Sequence, residues 1–290
     1  MIERSKKYIA IFKEKFRNLH LNSYHTISKN VDDMINDIDK WRTIKYTSEN
    51  HTHFLCMYIR ELWVTELDGI EDKDATIDIC TALFEDVNIL KIEKMISDLF
   101  PNLLNKRKSA QELLNIYSAC VELFKPTEDK DKLNIPFIKK IHSLVMKDLL
   151  SCDKVGVFRK TNVRALSSEV VYCTPSAIET KLQSLCDFIN SEKIENTKDA
   201  IRLASLFFSE FLLIHPFIDG NGRTARLLLS YILRKVSVVP VSLYIGKNPK
   251  TTYLEVLESR NDQNFPPDRV ASFILACVYR TCNDCYYLLN

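Results

Sequence analysis

The sequence predicts an almost wholly helical protein. Only 5 of its 290 residues are glycine, and 46% are hydrophobic against 27% charged, a balance typical of a folded globular chain. Apolar residues recur at the 3.6-residue period of amphipathic helices over most of the length. A chain of this size can bury a sizeable core within one or two domains.

The apolar period places helices along the whole chain. They are predicted at residues 2–18, 28–43, 51–67, 74–86, 89–99, 108–125, 135–151, 175–190, 198–214, 220–237, 249–261 and 267–288. Two starts have favourable caps: Asn134, with Pro136 in the first turn, and Thr174, which precedes Pro175.

Two segments interrupt the helical pattern and suggest how the chain is divided. Residues 156–175 alternate in polarity and carry β-branched side chains, so a short β-hairpin is predicted there. Residues 125–134 form a charged connector that contains proline. We therefore expect an N-terminal helical region (1–50), a second helical region (51–125) and a C-terminal core (126–290).

Charge and cysteine usage exclude several classes of protein. Lys and Arg total 40 and Asp and Glu 38, a formal net charge of +2, which does not favour a nucleic-acid partner. No apolar run has the length of a membrane span or of a signal peptide. The nine cysteines, an odd number, lack a disulfide-scaffold spacing. We expect a cytoplasmic protein with reduced thiols and no membrane partner.

The window "IHPFIDGNGRTARLLLS" concentrates polar chemistry in a chain that otherwise avoids glycine. Pro216 ends one apolar helix, because proline disfavours helical dihedrals in the residue before it. A second helix starts after the turn "DGNG", where Gly220 and Gly222 allow close approach of the backbone. Arg223 and Arg226 lie three residues apart on one face near that helix start.

These residue types together suit a polyphosphate ligand. Backbone N–H groups at a helix start and two guanidinium groups bind anions. Asp219 is a hard oxygen ligand suited to Mg²⁺, and His215 titrates near neutrality, as a general base must. Taken singly, each residue also fits an ordinary helix–turn–helix corner, in which Asp219 is a cap and the arginines are solvated.

The window "HPFIDGNGRTAR" resembles the signature of the Fic family, His-x-Phe-x-(Asp/Glu)-Gly-Asn-Gly-Arg-x-x-Arg, and matches every specified position. The similarity extends to "IHSLVMKDLL" before it and to "TTYLEVLESRNDQNF" after it, and covers the chain from about residue 111. The resemblance implies an all-α core with a small β-hairpin flap, here preceded by an N-terminal helical region. It also implies a protein adenylyltransferase, which transfers AMP from ATP, with Mg²⁺, to Ser, Thr or Tyr hydroxyls of target proteins.

The resemblance assigns the first half of the window to chemistry. His215 would deprotonate the incoming hydroxyl, and Asp219 would hold Mg²⁺ against the α- and β-phosphates. Gly220, Asn221 and Gly222 would form an anion hole, with Asn221 near the α-phosphate.

The second half of the window and the flanking segments receive binding roles from the same resemblance. Arg223 and Arg226 would hold the distal phosphates, and Phe217 would point into the core and fix the loop. Asn261 is similar to an asparagine that contacts adenine. The flap, residues 163–172, would dock the target segment by strand addition.

A candidate inhibitory helix, about residues 54–69, lies upstream of the core. Many Fic proteins carry a (Ser/Thr)-x-x-x-Glu-(Gly/Asn) motif whose glutamate pairs with the second arginine of the signature, here Arg226. In this chain Asp68 replaces the glutamate and Gly69 follows it, while Thr65 lies one residue past the Ser/Thr position. Autoinhibition by Asp68 is one hypothesis, and a plain helix end with Gly69 as C-terminal cap is the other.

Several alternatives stay open. The donor could instead be UTP or CDP-choline, the chain could remove AMP, or it could bind a nucleotide without catalysis. The protein itself is a further candidate acceptor, and a homodimer is a candidate assembly. Arg159 has two interpretations, contact with the flap base or nucleotide and a surface or packing role, whereas His142 is interpreted as a packing histidine.

Overall fold

The computed structural model describes residues 30–43, 47–66, 75–124, 132–164, 172–237, 239–244, 253–256 and 268–289. Regular structure in these residues is helical, without a β-strand. The α-helices that it contains are α1 (Val31–Trp41), α2 (Ser48–Glu66), α3 (Ala75–Glu85), α4 (Ile89–Leu99), α5 (Lys106–Leu123), α6 (Ile135–Met146), α7 (Ile178–Ser191), α8 (Thr197–Ile214), α9 (Asn221–Leu233) and α10 (Asp268–Leu289). The predicted all-α fold class is confirmed.

Asparagine side chains form hydrogen-bonded caps at the start of four of these helices. The side chains of Asn30, Asn88, Asn134 and Asn196 accept hydrogen bonds from backbone N–H groups in the first turns of α1, α4, α6 and α8. Such caps satisfy donors that have no partner within the helix. The cap predicted at Asn134 is therefore present. The structure shows three more of the same type, which fix where these helices start.

Most predicted helix ends lie within a few residues of the observed ones, and two helices are clearly shorter than predicted. The helix predicted at 135–151 ends at Met146, because Asp148 has a φ of 57° in the left-handed region. The helix predicted at 220–237 ends at Leu233 and continues as a turn. Residues 175–177 form a 3₁₀ turn before α7 rather than its first α-helical turn. Apolar residues continue after the C-terminal ends of these two helices, at Met146 and Leu233, which explains why the predicted helices were too long.

The helix α8 lies at the centre of the molecule. Nearly all of its side chains are buried, including Phe207, Phe208 and Phe211. It packs against α1, α7, α9 and α10, while α6 packs on α5 and α9. A helix that is buried on almost every side makes a rigid support, so the loop that follows it starts from a fixed point.

Several predicted segments lie wholly or partly outside the described residues. These are the helix at 2–18, most of the helix at 249–261, and the flap between residues 164 and 172. The division at 1–50, 51–125 and 126–290 stays a prediction, and one hydrophobic core takes in side chains from both sides of residue 125. Among the described helices, none is both long and apolar enough for a membrane span.

Candidate active site

The loop that joins α8 to α9, residues 215–220, is called the motif loop below. It begins at His215, which caps α8 with φ 49° and ψ 61°, in the left-handed region. Its N–H still donates to the carbonyl of Phe211 at 2.9 Å. The left-handed conformation costs a non-glycine residue roughly 1–2 kcal/mol. Such a conformation persists where the surrounding contacts hold it, and it is common at functional sites.

The imidazole of His215 is half-buried against the base of the predicted flap. Its ring stacks on Tyr172, with centroids 3.8 Å apart and planes at 15°. Its Nδ1 lies 3.4 Å from the carbonyl oxygen of Leu212. The ring orientation is therefore set from two sides, by the last turn of α8 and by an aromatic residue from the flap base.

His142 of α6 supports the motif loop from the core side. Its ring is fully buried and stacks on Phe217, with centroids 3.7 Å apart. The N–H of Gly156 donates to His142 Nδ1 at 2.9 Å, so Nε2 carries the proton and donates to the carbonyl of Asp219 at 3.0 Å. Burial lowers the pKa of His142 to about 4, which keeps the ring neutral.

Asn221 closes the motif loop with its side chain. Its Oδ1 accepts from the N–H of Phe217 at 3.0 Å, and its Nδ2 donates to the carbonyl of Phe217 at 2.8 Å. The side chain is buried, and both of its polar atoms are engaged within the loop. These two hydrogen bonds fix the side chain and leave the backbone N–H of Asn221 at the start of α9.

Glycine occupies the two motif positions for different structural reasons. Gly220 has a φ of 75°, and a Cβ there would lie 2.5 Å from the Sδ of Met146. The turn and the packing against α6 thus require glycine before any ligand is considered. A Cβ at Gly222 would lie 3.3 Å from Nη1 of Arg226, so glycine there leaves room beside the guanidinium.

The N-terminus of α9 has no side-chain cap. Gly220 caps it and has no side chain that could satisfy the first N–H groups. The helix dipole and these N–H groups together favour a negative ligand. Arg223 and Arg226, on the first two turns, add two positive charges.

The two arginines have different surroundings. Arg223 is 14% exposed, with Nη1 3.5 Å from Oε1 of Glu112 on α5. Arg226 is buried, its Nη1 3.4 Å from the hydroxyl of Tyr253 and its Cζ 5.5 Å from the ring centroids of Tyr244 and Tyr253. Arg223 is therefore held by a carboxylate, whereas Arg226 is held within an aromatic pocket.

Asp219 is placed where a divalent cation could bind together with phosphates. Its side chain is 62% exposed, its Oδ1 accepts from the N–H of Gly220 at 2.6 Å, and its Oδ2 lies 4.0 Å from Nη2 of Arg223. Mg²⁺ commonly binds through one or two carboxylates, substrate phosphates and water. A single exposed carboxylate beside an anion site fits that donor set.

Sequence analysis did not identify several residues that shape the site. The sequence includes Tyr172 only as the last residue of the predicted flap and does not indicate that it stacks on His215. Glu112 of α5 and Tyr58 of α2 were not identified, and the Tyr58 hydroxyl lies 3.5 Å from the carbonyl oxygen of Arg226. No local motif distinguishes any of them, since each reaches the site from a distant part of the chain. For Arg159 the sequence left two interpretations open, and the structure places its guanidinium beneath the motif loop, 2.7 Å from the carbonyl of His215.

Asp68, Gly69, Asn261 and the central part of the flap lie outside the described residues. Thr65 lies in the last turn of α2, where only the backbone is described.

A family comparison agrees with this geometry. Residues 132–233 match the model of the Fic/DOC family. The matched region starts just before α6 and ends with α9. It therefore includes His142, the flap and the whole motif loop.

Curated relatives match over about half of this chain. The protein adenylyltransferase Fic of Drosophila erecta is 34% identical over 152 residues, which are 52% of this chain and 29% of that protein. The protein adenylyltransferase Fic of Nematostella vectensis is 30% identical over 159 residues, 51% of this chain and 36% of that protein. The matched part thus spans only about a third of each relative's length.

Solved structures show the same fold at low sequence identity. Fic-1 of C. elegans (residues 134–508 of that protein) aligns with a TM-score of 0.64 at 20% identity, and the alignment covers 89% of this chain and 72% of that one. A Fic domain containing signalling protein from Bacteroides thetaiotaomicron aligns with a TM-score of 0.61 at 19% identity, over 87% of this chain and 96% of that one.

Proposed function

We propose that this chain is a member of the Fic/DOC family, whose model matches its residues 132–233, and that it is a protein adenylyltransferase, which transfers AMP from ATP to a hydroxyl of a target protein. One observation carries the proposal. A half-buried histidine, a carboxylate, a helix N-terminus without a side-chain cap and two arginines converge on one loop. The names of the curated relatives support the same activity.

His215 is the general base in this proposal. When its Nδ1 proton points to the carbonyl of Leu212, its Nε2 carries the lone pair that accepts the hydroxyl proton. The target oxygen then forms a bond to the α-phosphorus as the bond to pyrophosphate breaks, and the proton stays on the imidazole. General-base catalysis of this kind contributes ~10²–10⁴-fold to the rate.

The N-terminus of α9 stabilises the charge on the phosphates. The backbone N–H groups of Asn221 and Gly222 face the α-phosphate, and Arg223 and Arg226 hold the distal phosphates. These donors are fixed before ATP arrives, since Asn221 closes the loop and the aromatic pocket holds Arg226. Donors that are already oriented need little reorganisation during the reaction.

Asp219 would hold Mg²⁺, which neutralises part of the charge on the triphosphate. The fixed carbonyl of Asp219, bonded to Nε2 of His142, keeps the residue in place while its carboxylate faces solvent. Removal of divalent cations with EDTA should therefore abolish transfer, and added Mg²⁺ should restore it.

Regulation by the segment after α2 is part of the proposal. The hydroxyl of Tyr58 on α2 contacts the carbonyl of Arg226, so this helix reaches the arginine that Asp68 is expected to pair with. Thr65 and Gly69 would fix the helix end around that aspartate. Replacing Asp68 by Gly should raise self-modification, and an unchanged rate would exclude inhibition by Asp68.

Two binding roles complete the proposal. The flap, residues 163–172, docks the target backbone as an added strand, and Asn261 contacts adenine. Target proteins and the chain itself are the proposed acceptors.

Mass spectrometry of a lysate tests the function. Lysate is incubated with the Asp68→Gly protein and each of ATP, UTP and CDP-choline, and the His215→Ala protein is the control. AMP adducts that depend on His215 support the proposal. Adducts from another donor identify a different transferase, and no adduct with any donor contradicts the proposal.

A further inference from the structure

Arg159 is a buried arginine in the segment that leads from α6 to the flap. Its side chain is only 5% exposed. Within the described part of the chain it forms no ion pair, so nothing there neutralises its charge directly. Burying a guanidinium is costly unless its donors are bonded, and an arginine in such a place needs a structural explanation.

Carbonyl oxygens from three segments satisfy these donors. Nε donates to the carbonyl of His215 at 2.7 Å, and Nη2 donates to Ile214 at 3.3 Å and to Cys173. Nη1 donates to the carbonyl of Thr161 at 2.8 Å. The backbone N–H of Arg159 also donates to the carbonyl of Pro216 at 2.9 Å. One residue thus binds both the end of α8 and the two bases of the flap.

Helix termination explains why a cation suits this position. The last carbonyls of a helix have no partners within it, and the helix dipole places partial negative charge there. Ile214 ends α8, and His215 caps it in a left-handed conformation. The Sγ of Cys173 donates to the same Ile214 carbonyl at 3.2 Å, which reinforces the link between flap and helix.

We propose that Arg159 is a positioning residue for the catalytic base. It holds the backbone of His215 in the left-handed conformation and fixes that backbone relative to both ends of the flap. A target that docks on the flap is thereby aligned with the imidazole that takes its proton. The effect on catalysis rests on the proposed function. The position of the His215 ring, however, can be measured without any reaction.

Arg202 of α8 offers a matched control. It is also buried, at 9% exposure, and its Nη2 pairs with Oε2 of Glu192 at 3.0 Å. It lies more than three turns of α8 before His215 and touches neither the flap nor the motif loop in the described structure. Arg159→Gln and Arg202→Gln therefore both remove a buried guanidinium, but only the first should affect the base.

NMR of the full chain with labelled histidine is the first measurement. The chain has six histidines, so the His215 ring signal can be assigned by comparison with His215→Ala. Stacking on Tyr172 should give this signal a ring-current shift. Arg159→Gln should lose that shift or broaden the signal, and Arg202→Gln should keep it. An unchanged His215 signal in Arg159→Gln, or an equal change in both variants, would overturn the proposal.

Transfer kinetics provide the second measurement. Arg159→Gln should lower kcat for transfer about 10–100-fold, as expected for a misplaced reacting group, with KM for ATP nearly unchanged. Arg202→Gln should lower the melting temperature without lowering kcat. If Arg159→Gln does not fold, Arg159→Lys, which keeps the charge but fewer hydrogen bonds, takes its place in both measurements. If the wild type transfers nothing, the proposed function fails, while the NMR result still decides the role of Arg159.

Discussion

One histidine packs against the motif loop and another begins it, and the two differ in burial and in hydrogen bonding. His142 is fully buried on α6, has both ring nitrogens hydrogen-bonded and is kept neutral by a pKa of about 4. His215 is half-buried, strained and stacked on a flap residue. From this difference we expect the His142 ring to support the loop and the His215 ring to act in the proposed transfer. Variants of the two residues should therefore separate stability from activity.

The largest expected effect is the loss of activity in His215→Ala. Transfer should fall by ~10²–10⁴-fold, because the proton acceptor is removed. The free energy of unfolding should fall by only about 0.5–1.5 kcal/mol, since the half-buried ring loses its stack on Tyr172 but is not part of the core. Transfer assays and urea unfolding measure the two quantities. His53→Ala, at an exposed position of α2, is the control and should change neither. A His215→Ala protein that is unfolded, or still active, would contradict this assignment.

His142→Ala should show the reverse pattern. It removes a fully buried ring that stacks on Phe217 and two hydrogen bonds, so we expect a loss of about 3 kcal/mol or more in the free energy of unfolding. The rate per folded molecule should fall less than in His215→Ala. Urea unfolding followed by circular dichroism checks the first value. Wild-type stability in this variant would mean that His142 does not support the loop.

The pH dependence of stability sharpens the comparison further. The pKa of His142 is about 4 in the folded chain against 6.5 for the ordinary side chain. Between these values the unfolded chain binds the extra proton and the folded chain does not, so stability should fall as the pH drops from 6.5 to 4. The loss is at most ~3 kcal/mol.

Unfolding in metal-free buffer across this pH range tests the prediction. His142→Asn, which cannot titrate, should be less stable at neutral pH but should show a shallower slope than the wild type below pH 6.5. Equal slopes in the two proteins would show that another group is responsible.

The smallest expected effect concerns the ring that covers His215. Tyr172→Leu should lower transfer about three- to tenfold, because an aromatic pair contributes about 0.5–1.5 kcal/mol beyond its buried area. Tyr172→Phe keeps the stack and should retain most of the rate. Single-turnover kinetics measure both. A Phe variant as slow as the Leu variant would assign the effect to the hydroxyl instead of the ring.

The fold class and the motif were predictable because each depends on local sequence. The 3.6-residue period located the helices, and Asn134 marked the start of α6. Pro216 correctly ended α8. The period could not show that α6 ends at Met146, since Leu149 and Leu150 continue the apolar pattern after the backbone has left the helix.

The supports of the site were not predictable, because they join distant parts of the chain. Glu112 reaches Arg223 from α5, and Tyr58 reaches Arg226 from α2. The sequence also suggested that Gly220 serves close approach to phosphate. The structure shows that glycine is needed at position 220 even without a ligand, because the backbone there is left-handed and packs against Met146. Only tertiary packing shows which of these two explanations requires glycine at position 220.

Transfer of label from ATP tests the central claim most directly. Two parallel reactions use ATP labelled at the α-phosphate and at the γ-phosphate, with the wild type and His215→Ala. The proposed adenylyltransferase should label protein from the α-position only, and His215→Ala should remove that label. Label from the γ-position, or α-label that survives in His215→Ala, would contradict AMP transfer by this loop.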